Sequence, residues 1–367
     1  MHTTTRMRLR ALRYLVAFTG PALAWVGLLH TGLATWALPL YGFVLLPLLE
    51  LVIPADRRQL STAEEEAAHA DPVYDLLVLA MVPVQWATLV LFLFSVNAPG
   101  LAGWEVAGRI ATMGLMCGVY GINVAHELGH RRSKWERDMA RVLLLSSLYM
   151  HFLIEHNRGH HKRVGTPEDP ASARFGEWIY AFWLRTILFS LMSAWRIEVE
   201  RLQRDGRSAW SPRNEMLQAL LIQGGLVAGI GLFFGGAVLL AFLSATLIGI
   251  LLLETVNYIE HYGLGRPLNE RGTFGRVQHF HSWNSDHLLG RLMLFELTRH
   301  SDHHYMASRK YQVLRSWDDG PELPTGYPGS MVLSLVPPLW RRVMDPRVRR
   351  LVEAHPGLTF ARAASAA

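Results

Sequence analysis

The chain has 367 residues, half of them hydrophobic, with a mean hydropathy of +0.16, a formal charge of +6 and a pI near 9.6. Its single cysteine, Cys117, excludes an internal disulfide, a multi-thiolate zinc site and an iron–sulfur centre on this chain. Because the apolar residues gather in long runs, a membrane protein is the first class to consider. Any metal chemistry must then use nitrogen and oxygen ligands.

Six apolar runs, each near the ~20 residues that a spanning helix needs, follow one another along the chain. The start MHTTTRMRLRALR precedes the first run, and no small-residue cleavage site follows it, which favours an uncleaved first span. We therefore predict an all-α, polytopic membrane protein that forms a single domain over residues 1–367. The predicted spans are 12–30, 33–53, 73–94, 101–125, 214–234 and 237–258.

The stretches between these spans are polar or amphipathic. Residues 56–71 contain three successive glutamates and are predicted to form a water-facing loop. Segments 126–213 and 259–355 mix charges with short amphipathic helices, which we expect to lie at the membrane surface. The tail 361–367 is rich in small residues and is expected to fray.

The basic residues predict the orientation, since cytoplasmic segments carry the excess of Lys and Arg. With both termini inside, Arg109 is the one residue of the 36 Lys and Arg that falls outside a cytoplasmic segment or its boundary. Segments 126–213 and 259–355 then lie on the cytoplasmic side. Because topology accounts for the positive charge, we expect a lipid bilayer as partner and no nucleic acid.

Nine histidines cluster on this predicted inner side, in HELGH, EHNRGHH, NYIEHYG and LTRHSDHH. Helical offsets of three and four place imidazoles on one face, where they can converge on a metal region. A single zinc takes three or four protein ligands, so nine histidines suit two metal centres with open positions. Imidazole alone leaves the metal open among Zn, Fe, Cu and Ni. The candidate ligands are His126, His130, His156, His160, His161, His261, His300, His303 and His304.

Acidic and amide side chains beside these clusters could orient the imidazole rings by accepting their N–H groups. For any one of the acids, a purely solvated role is an equally good interpretation. In HFHSWNSDH, direct ligation by His279, His281 or His287 is less favoured than support of the ligands. The candidates for this supporting role are Glu127, Glu155, Glu260, Asp302, His281 and Asn284.

Two other classes of protein share part of this pattern. HELGH also fits the HExxH motif of zinc peptidases, in which two histidines bind zinc and the glutamate activates water. That interpretation leaves the other seven histidines unexplained. A membrane metal carrier would need polar residues at membrane depth, whereas these spans hold few ionisable groups. The carrier remains the alternative from a different class.

With these motifs the chain resembles the integral-membrane alkane 1-monooxygenases, the AlkB family of non-haem di-iron hydroxylases. The matching stretches lie between Gly121 and Arg347, while the first four spans match in pattern alone. They are HELGH, EHNRGHH followed by TPEDPASARFGE, NYIEHYGL, HSWNSDH, LTRHSDHH followed by YQVLRSWDDGPELPTGYP, and PPLWRRVMDPR.

The resemblance implies O₂-dependent terminal hydroxylation of medium-chain n-alkanes to 1-alkanols, in a bacterial cytoplasmic membrane. It implies that the nine histidines hold two iron ions on the cytoplasmic side. Hydroxylation of an aromatic methyl group, as in xylene monooxygenases, is the alternative at the level of substrate. A fatty-acyl desaturase or hydroxylase shares the histidine boxes but matches EHYGL, HSWN and RHSDHH less well.

Electrons must come from another protein, because the chain has neither paired cysteines nor a glycine-rich nucleotide fingerprint. We expect a separate rubredoxin and its NADH-dependent reductase. Rubredoxins are acidic, and a group of arginines near the C-terminus could attract one. Contact with anionic lipid headgroups is an equally good use of these arginines. They are Arg341, Arg342, Arg347, Arg349 and Arg350.

Chain-length selection requires bulky side chains along the path of the substrate. Four residues in the predicted spans are candidates for this role, although core packing is the commoner role for such residues. They are Trp36, Phe43, Trp86 and Met113.

Overall fold

The computed structural model describes residues 2–362 and consists mainly of helices, which confirms the prediction of an all-helical chain. Within this range the one sheet has two short antiparallel strands, Leu264–Gly265 and Thr359–Phe360. From residue 363 on, the tail that is expected to fray lies outside the described residues.

Four helices in the described part of the chain are long and apolar enough to cross a membrane. The first begins at Thr3, so the arginines that precede the predicted span at residue 12 are already helical. A 3₁₀ segment, Leu12–Phe18, lies within it. The four helices are Thr3–Leu29, Gly32–Val52, Pro72–Ser95 and Glu215–His261.

The fourth of these helices folds back on itself. Gly235 interrupts it with a φ of 83°, a value that glycine adopts without the strain of a Cβ atom. Gln223 accepts a hydrogen bond from the backbone N–H of Met150, and Glu254 accepts one from the hydroxyl of the preceding residue, Tyr149. In a straight helix residues 223 and 254 would lie ~46 Å apart. The two halves therefore run antiparallel.

The segment predicted as the span 101–125 is helical from Gly103 to Gly129, with a π-helical stretch, Met116–Ile122, in its middle. Arg109 is buried in this helix and donates to the backbone carbonyls of His30 and Ser95. Both carbonyls lie at the C-terminal ends of long helices, where the helix dipole favours a cation. These two hydrogen bonds accommodate Arg109, the one basic residue that the predicted topology places outside a cytoplasmic segment or its boundary.

Residues 56–71 are not a loop throughout, because Thr62–Ala70 form a helix. Ser61 accepts the backbone N–H of Glu64, and the Glu64 carboxylate accepts the backbone N–H of Ser61. This capping box satisfies donors that a helix otherwise leaves free at its start. The glutamates therefore begin a helix.

Aromatic packing fixes the end of the helix that carries His261. Tyr258 and Tyr262 contact the fully buried ring of Trp340 at centroid distances of 5.6 and 5.5 Å. Trp340 belongs to the helix Pro337–Ala354. This C-terminal helix thereby holds the NYIEHYG segment in place.

Residues 2–362 also contain three π-helical segments, and the first two long helices are built from several shorter helical elements. The π-helical segments are Tyr41–Leu45, Met116–Ile122 and His156–His160. The further 3₁₀ helices are Gly32–Trp36 and Tyr311–Val313. The other α-helices are His2–Ala11, Thr19–Leu29, Ala37–Leu40, Leu46–Val52, Lys134–Ser146, Phe152–Glu155, His161–Arg163, Ile179–Arg204, Leu288–Met293, His300–Tyr305 and Tyr327–Ser334.

Candidate metal centre

The structure brings all nine candidate histidines together in two adjacent groups. Within each group the nitrogen atoms that could bind a metal ion lie within 4.8 Å of one another. The groups are close neighbours, since the rings of His161 and His304 are 4.5 Å apart. The five-histidine group consists of His126, His130, His156, His161 and His303, and the four-histidine group of His160, His261, His300 and His304.

The π-helical segment His156–His160 explains how the second box is divided between the groups. A π-helix bonds residue i to residue i+5, so an offset of five returns to the same side of the helix. His156 and His161, five apart, share the five-histidine group, while His160 joins the other. The third box also serves both groups, with His303 in one and His300 and His304 in the other.

Short contacts between Nε2 atoms define the five-histidine group. The His303 Nε2 atom lies 2.9 Å from that of His126 and 3.0 Å from that of His161. The His156 Nε2 atom lies 3.1 Å from that of His130 and 3.0 Å from that of His161. Adjacent donors around one octahedral metal ion, each ~2.1 Å from it, are ~3.0 Å apart. These spacings fit a single bound metal ion.

The Nε2 atoms of the four-histidine group are also closely spaced. The His300 Nε2 atom lies 3.2 Å from that of His261 and 2.9 Å from that of His304. The Nε2 atom of His160 is buried and has no hydrogen-bond partner among the described residues. A buried acceptor or donor without a partner is costly, and a metal ion would satisfy this one. The donors of this group therefore also fit one metal ion.

Burial favours the neutral form of most rings in the five-histidine group, and the neutral form is the one that binds metal ions. Burial lowers the pKa of His130 to about 3. Burial and the neighbouring imidazoles hold the pKa of His156, His161 and His303 well below the ordinary value for histidine. Neutral nitrogen donors leave the full positive charge on any metal ion bound there.

His160 is oriented by Asp169, a residue that the sequence analysis did not select. The Asp169 carboxylate lies 2.9 Å from the His160 Nδ1 atom, and both side chains are buried. Burial alone would lower the pKa of His160, but Asp169 raises it; the same pairing lowers the pKa of Asp169 to about 2, against the effect of burial. The contact holds a proton on Nδ1 and leaves Nε2 for a metal ion. Asp169 lies in the TPEDPAS stretch directly after the second box, and this position was the sequence signal for its role.

Glu260 is the one of the four predicted carboxylates that contacts a candidate ligand in the described structure. Its Oε2 atom lies 3.2 Å from the Nε2 atom of His300, and its Oε1 atom accepts a hydrogen bond of 2.8 Å from Tyr327. Its backbone carbonyl also accepts the N–H of Trp283. Glu260 thus lies next to Nε2, the nitrogen atom through which His300 would bind a metal ion.

The other three carboxylates brace the segments around the site. Glu127 forms a salt bridge with Arg131 and accepts a hydrogen bond from the backbone N–H of Tyr311. Glu155 accepts hydrogen bonds from Arg163 and Ser193. Asp302 accepts from the side chains of Arg309 and Trp317 and from the backbone of Arg315. Their contacts fix the chain near the boxes rather than the histidine rings.

The amide of Asn284 supports the third box. Its Oδ1 atom accepts the backbone N–H of Ser301, and its Nδ2 atom donates to the Ser301 hydroxyl. The Ser301 hydroxyl donates to the Ser282 carbonyl, and the Ser282 hydroxyl lies 3.3 Å from the Nδ1 atom of His261. Asn284 therefore links the HSWN stretch to ligand candidates in two boxes.

The other histidines of HFHSWNSDH lie outside the two groups. His279 pairs with Asp319 and stacks on Trp317. His281 bonds to the carbonyl of Gly357 and to the backbone of Gln278, and His287 contacts Ser285. These contacts assign them to the surrounding loops.

An apolar cavity of about 100 Å³ lies beside the histidine groups. It reaches the elements that carry them, because Asn123 is one helical turn before His126, Leu297 lies three residues before His300, and Tyr327 contacts Glu260. Two of the π-helical segments, Tyr41–Leu45 and Met116–Ile122, contribute to its wall. Its other lining residues are Leu38, Leu46, Leu115, Leu252, Leu253, Val256, Gly290, Met293, Leu294, Pro328 and Met331.

The chain is similar to known monooxygenases over most of its length. Residues 102–329 match the fatty acid desaturase family. Alkane 1-monooxygenase 1 of Pseudomonas aeruginosa is 46% identical over 75% of this chain and 72% of its own, and alkane 1-monooxygenase 2 of Alcanivorax borkumensis is 39% identical over 91% and 88%.

A relative with a different named substrate is less similar. The hydroxylase component of a xylene/toluene monooxygenase from Pseudomonas putida is 30% identical over 92% of this chain and 89% of its own. The match to the desaturase family covers more than half of the chain, and the match to the alkane 1-monooxygenases extends over both histidine groups. The chain therefore belongs to the fatty acid desaturase family and, within it, to the alkane 1-monooxygenases.

Proposed function

We propose that this protein is an O₂-dependent alkane 1-monooxygenase that converts medium-chain n-alkanes to 1-alkanols with two bound iron ions. The observation that carries the proposal is the meeting of the five-histidine and four-histidine groups beside an apolar cavity. Family membership identifies the kind of reaction that such a site performs.

The cavity supports an alkane as substrate. Its wall consists mainly of aliphatic and aromatic side chains, so a hydrocarbon can leave the bilayer and enter it without desolvating a polar group. A fatty-acyl substrate would bring a polar head that needs hydrogen-bond partners. The apolar wall therefore favours the alkane over the fatty-acyl alternative.

The residues of the chain hold and orient the metal ions. The nine imidazoles supply neutral nitrogen donors, Asp169 fixes His160, and Asn284 fixes the third box. Bound iron supplies the redox chemistry that dioxygen activation requires. The cavity wall next to Asn123 and Leu297 directs one end of the hydrocarbon towards the groups, and this end-on access selects the terminal carbon.

The proposed topology has six spans with both termini and the histidine groups on the cytoplasmic side of a bacterial inner membrane. The hairpin at Gly235 supplies two crossings, and Gly103–Gly129 supplies another. The distribution of Lys and Arg supports this orientation. Cysteine-accessibility labelling from each side, at residues 98 and 236 for the outer face and 206 for the inner face, tests it.

A direct test of the reaction is to express the protein with a rubredoxin and its reductase and to analyse the products by gas chromatography. Medium-chain n-alkanes should yield 1-alkanols in an O₂-dependent manner. Toluene and xylene serve as parallel substrates for the alternative drawn from the 30%-identical relative. Turnover of the aromatic methyl groups without turnover of alkanes would show that the substrate is an aromatic compound and not an alkane.

Among the four bulky candidates for chain-length selection, the described cavity lining includes Phe43 alone. We predict that Phe43→Ala extends the range of accepted alkanes towards longer chains, because it removes volume from the cavity wall. Trp86→Ala is the matched control, since the Trp86 indole donates to the Val142 carbonyl and lies outside the lining. The distribution of alkanol lengths from an alkane mixture measures both. An unchanged distribution for Phe43→Ala would show that Phe43 does not limit length.

The proposed electron donor is a separate rubredoxin, reduced by an NADH-dependent reductase. All five C-terminal arginines of the helix Pro337–Ala354 are exposed, which supports docking of an acidic protein there. We predict that turnover at limiting rubredoxin falls severalfold between 50 and 300 mM salt, roughly in line with electrostatic screening. Reconstitution in neutral detergent removes anionic lipid from this test. Salt-independent turnover would leave lipid contact as the role of these arginines.

A further inference from the structure

A basic pocket of about 230 Å³ lies between the first long helix and the chain that follows the second. It is separate from the histidine groups and from the apolar cavity. Both contributing elements are at the same end of two candidate spans, Thr3–Leu29 and Gly32–Val52. The lining residues are Arg6, Met7, Leu9, Arg10, Arg13, Asp56, Arg58 and Leu60.

The arginines of the pocket exceed the acids that could neutralise them. Glu64 is shared between Arg6 at 3.1 Å and Arg58 at 3.3 Å. Within residues 2–362 no salt bridge joins Arg10 or Arg13 to a carboxylate, although the half-buried Arg10 donates to the Gln312 carbonyl and interacts electrostatically with Glu296. Asp56, the one acid in the lining, is itself 3.6 Å from the buried guanidinium of Arg291. The four arginines therefore exceed Glu64 and Asp56 by two positive charges, and the exposed Arg13 has no carboxylate partner among the described residues.

Exposed apolar side chains adjoin this charged pocket. Leu9, Leu12 and Leu15 are exposed along the first helix. Leu51 and Val52 are exposed at the end of the second. A soluble anion would use the guanidinium groups alone, whereas a phospholipid would use the charge and the apolar surface together.

We propose that this pocket binds the headgroup phosphate of an anionic phospholipid, with its acyl chains along the exposed leucines. Basic pockets beside membrane-spanning helices on the cytoplasmic side are suited to such headgroups. The charge excess favours an anionic lipid over a zwitterionic one. This site goes beyond the proposed reaction and does not depend on it.

Native mass spectrometry of the full chain in neutral detergent, titrated with phosphatidylglycerol, tests the proposal. The double variant Arg10→Gln/Arg13→Gln should bind the lipid ~25-fold more weakly, at about fivefold for each arginine. Arg204→Gln/Arg271→Gln removes the same charge from exposed positions outside the pocket and should bind like the wild type. If the double variant does not fold, Arg13→Gln alone, at an exposed side chain, should bind about fivefold more weakly.

Phosphatidylcholine and glycerol 3-phosphate are the comparison ligands. Both should bind more weakly than phosphatidylglycerol, because one lacks the net charge and the other lacks the acyl chains. Equal binding of phosphatidylcholine, equal binding of glycerol 3-phosphate, or unchanged binding by the arginine variants would each overturn the proposal. Binding needs no turnover, so these results are independent of whether the protein hydroxylates alkanes.

Discussion

Replacement of His303 or of its neighbour His304 by alanine is expected to abolish alkane hydroxylation by removing donors from different groups. His303 contacts His126 and His161 in the five-histidine group, and His304 contacts His300 in the four-histidine group. A bound metal ion contributes several kcal/mol to transition-state stabilisation, so we expect each variant to lose ~1,000-fold or more in turnover.

Metal analysis of the same variants separates the two groups. Each should lose iron from the affected group and retain roughly half of the wild-type content. His279→Ala is the control, because His279 pairs with Asp319 outside both groups and should keep full iron and activity. Full iron content together with wild-type turnover in His303→Ala would show that the five-histidine group is not a metal site.

Asp169→Asn should weaken metal binding in the four-histidine group without removing a ligand. Loss of a residue that orients a metal-binding histidine costs ~10- to 100-fold in metal affinity or activity. The amide keeps the shape of the side chain but lacks the charge that raises the pKa of His160. Iron retained after a graded challenge with a chelator, measured together with turnover, gives the size of the effect.

The neighbouring acid provides the control for this variant. Glu168 is exposed, whereas Asp169 is buried against His160. Glu168→Gln removes the same charge one residue away and should retain iron like the wild type. Equal iron loss in both variants would mean that Asp169 acts through the general charge of the loop and not through His160.

Much of the helical framework follows from the sequence because apolar runs and turn residues act locally. The run 73–94 corresponds to the helix Pro72–Ser95, and the Gly235–Gly236 pair lies where the long helix folds back. The helix Thr62–Ala70 was missed because its charged composition outweighed the capping box that begins it. Ser61 and Glu64 match the sequence pattern of a capping box, which predicts the start of a helix.

The meeting of the nine candidate histidines could be predicted from the sequence, but their division into two groups could not. Spacing identified the nine residues, yet the pairing of His156 with His161 depends on a π-helical hydrogen-bond register. That register is set by packing around the segment and has no sequence marker of its own. Asp169 was missed for a related reason, because it reaches His160 from a loop rather than from a helical offset.

Iron content per chain is the most direct measure of the central claim, that the two histidine groups each hold one iron ion. Inductively coupled plasma mass spectrometry of the purified full chain should find about two iron atoms per chain and little zinc. One zinc per chain, or a single iron that remains single after reconstitution with ferrous iron, would contradict a two-iron site.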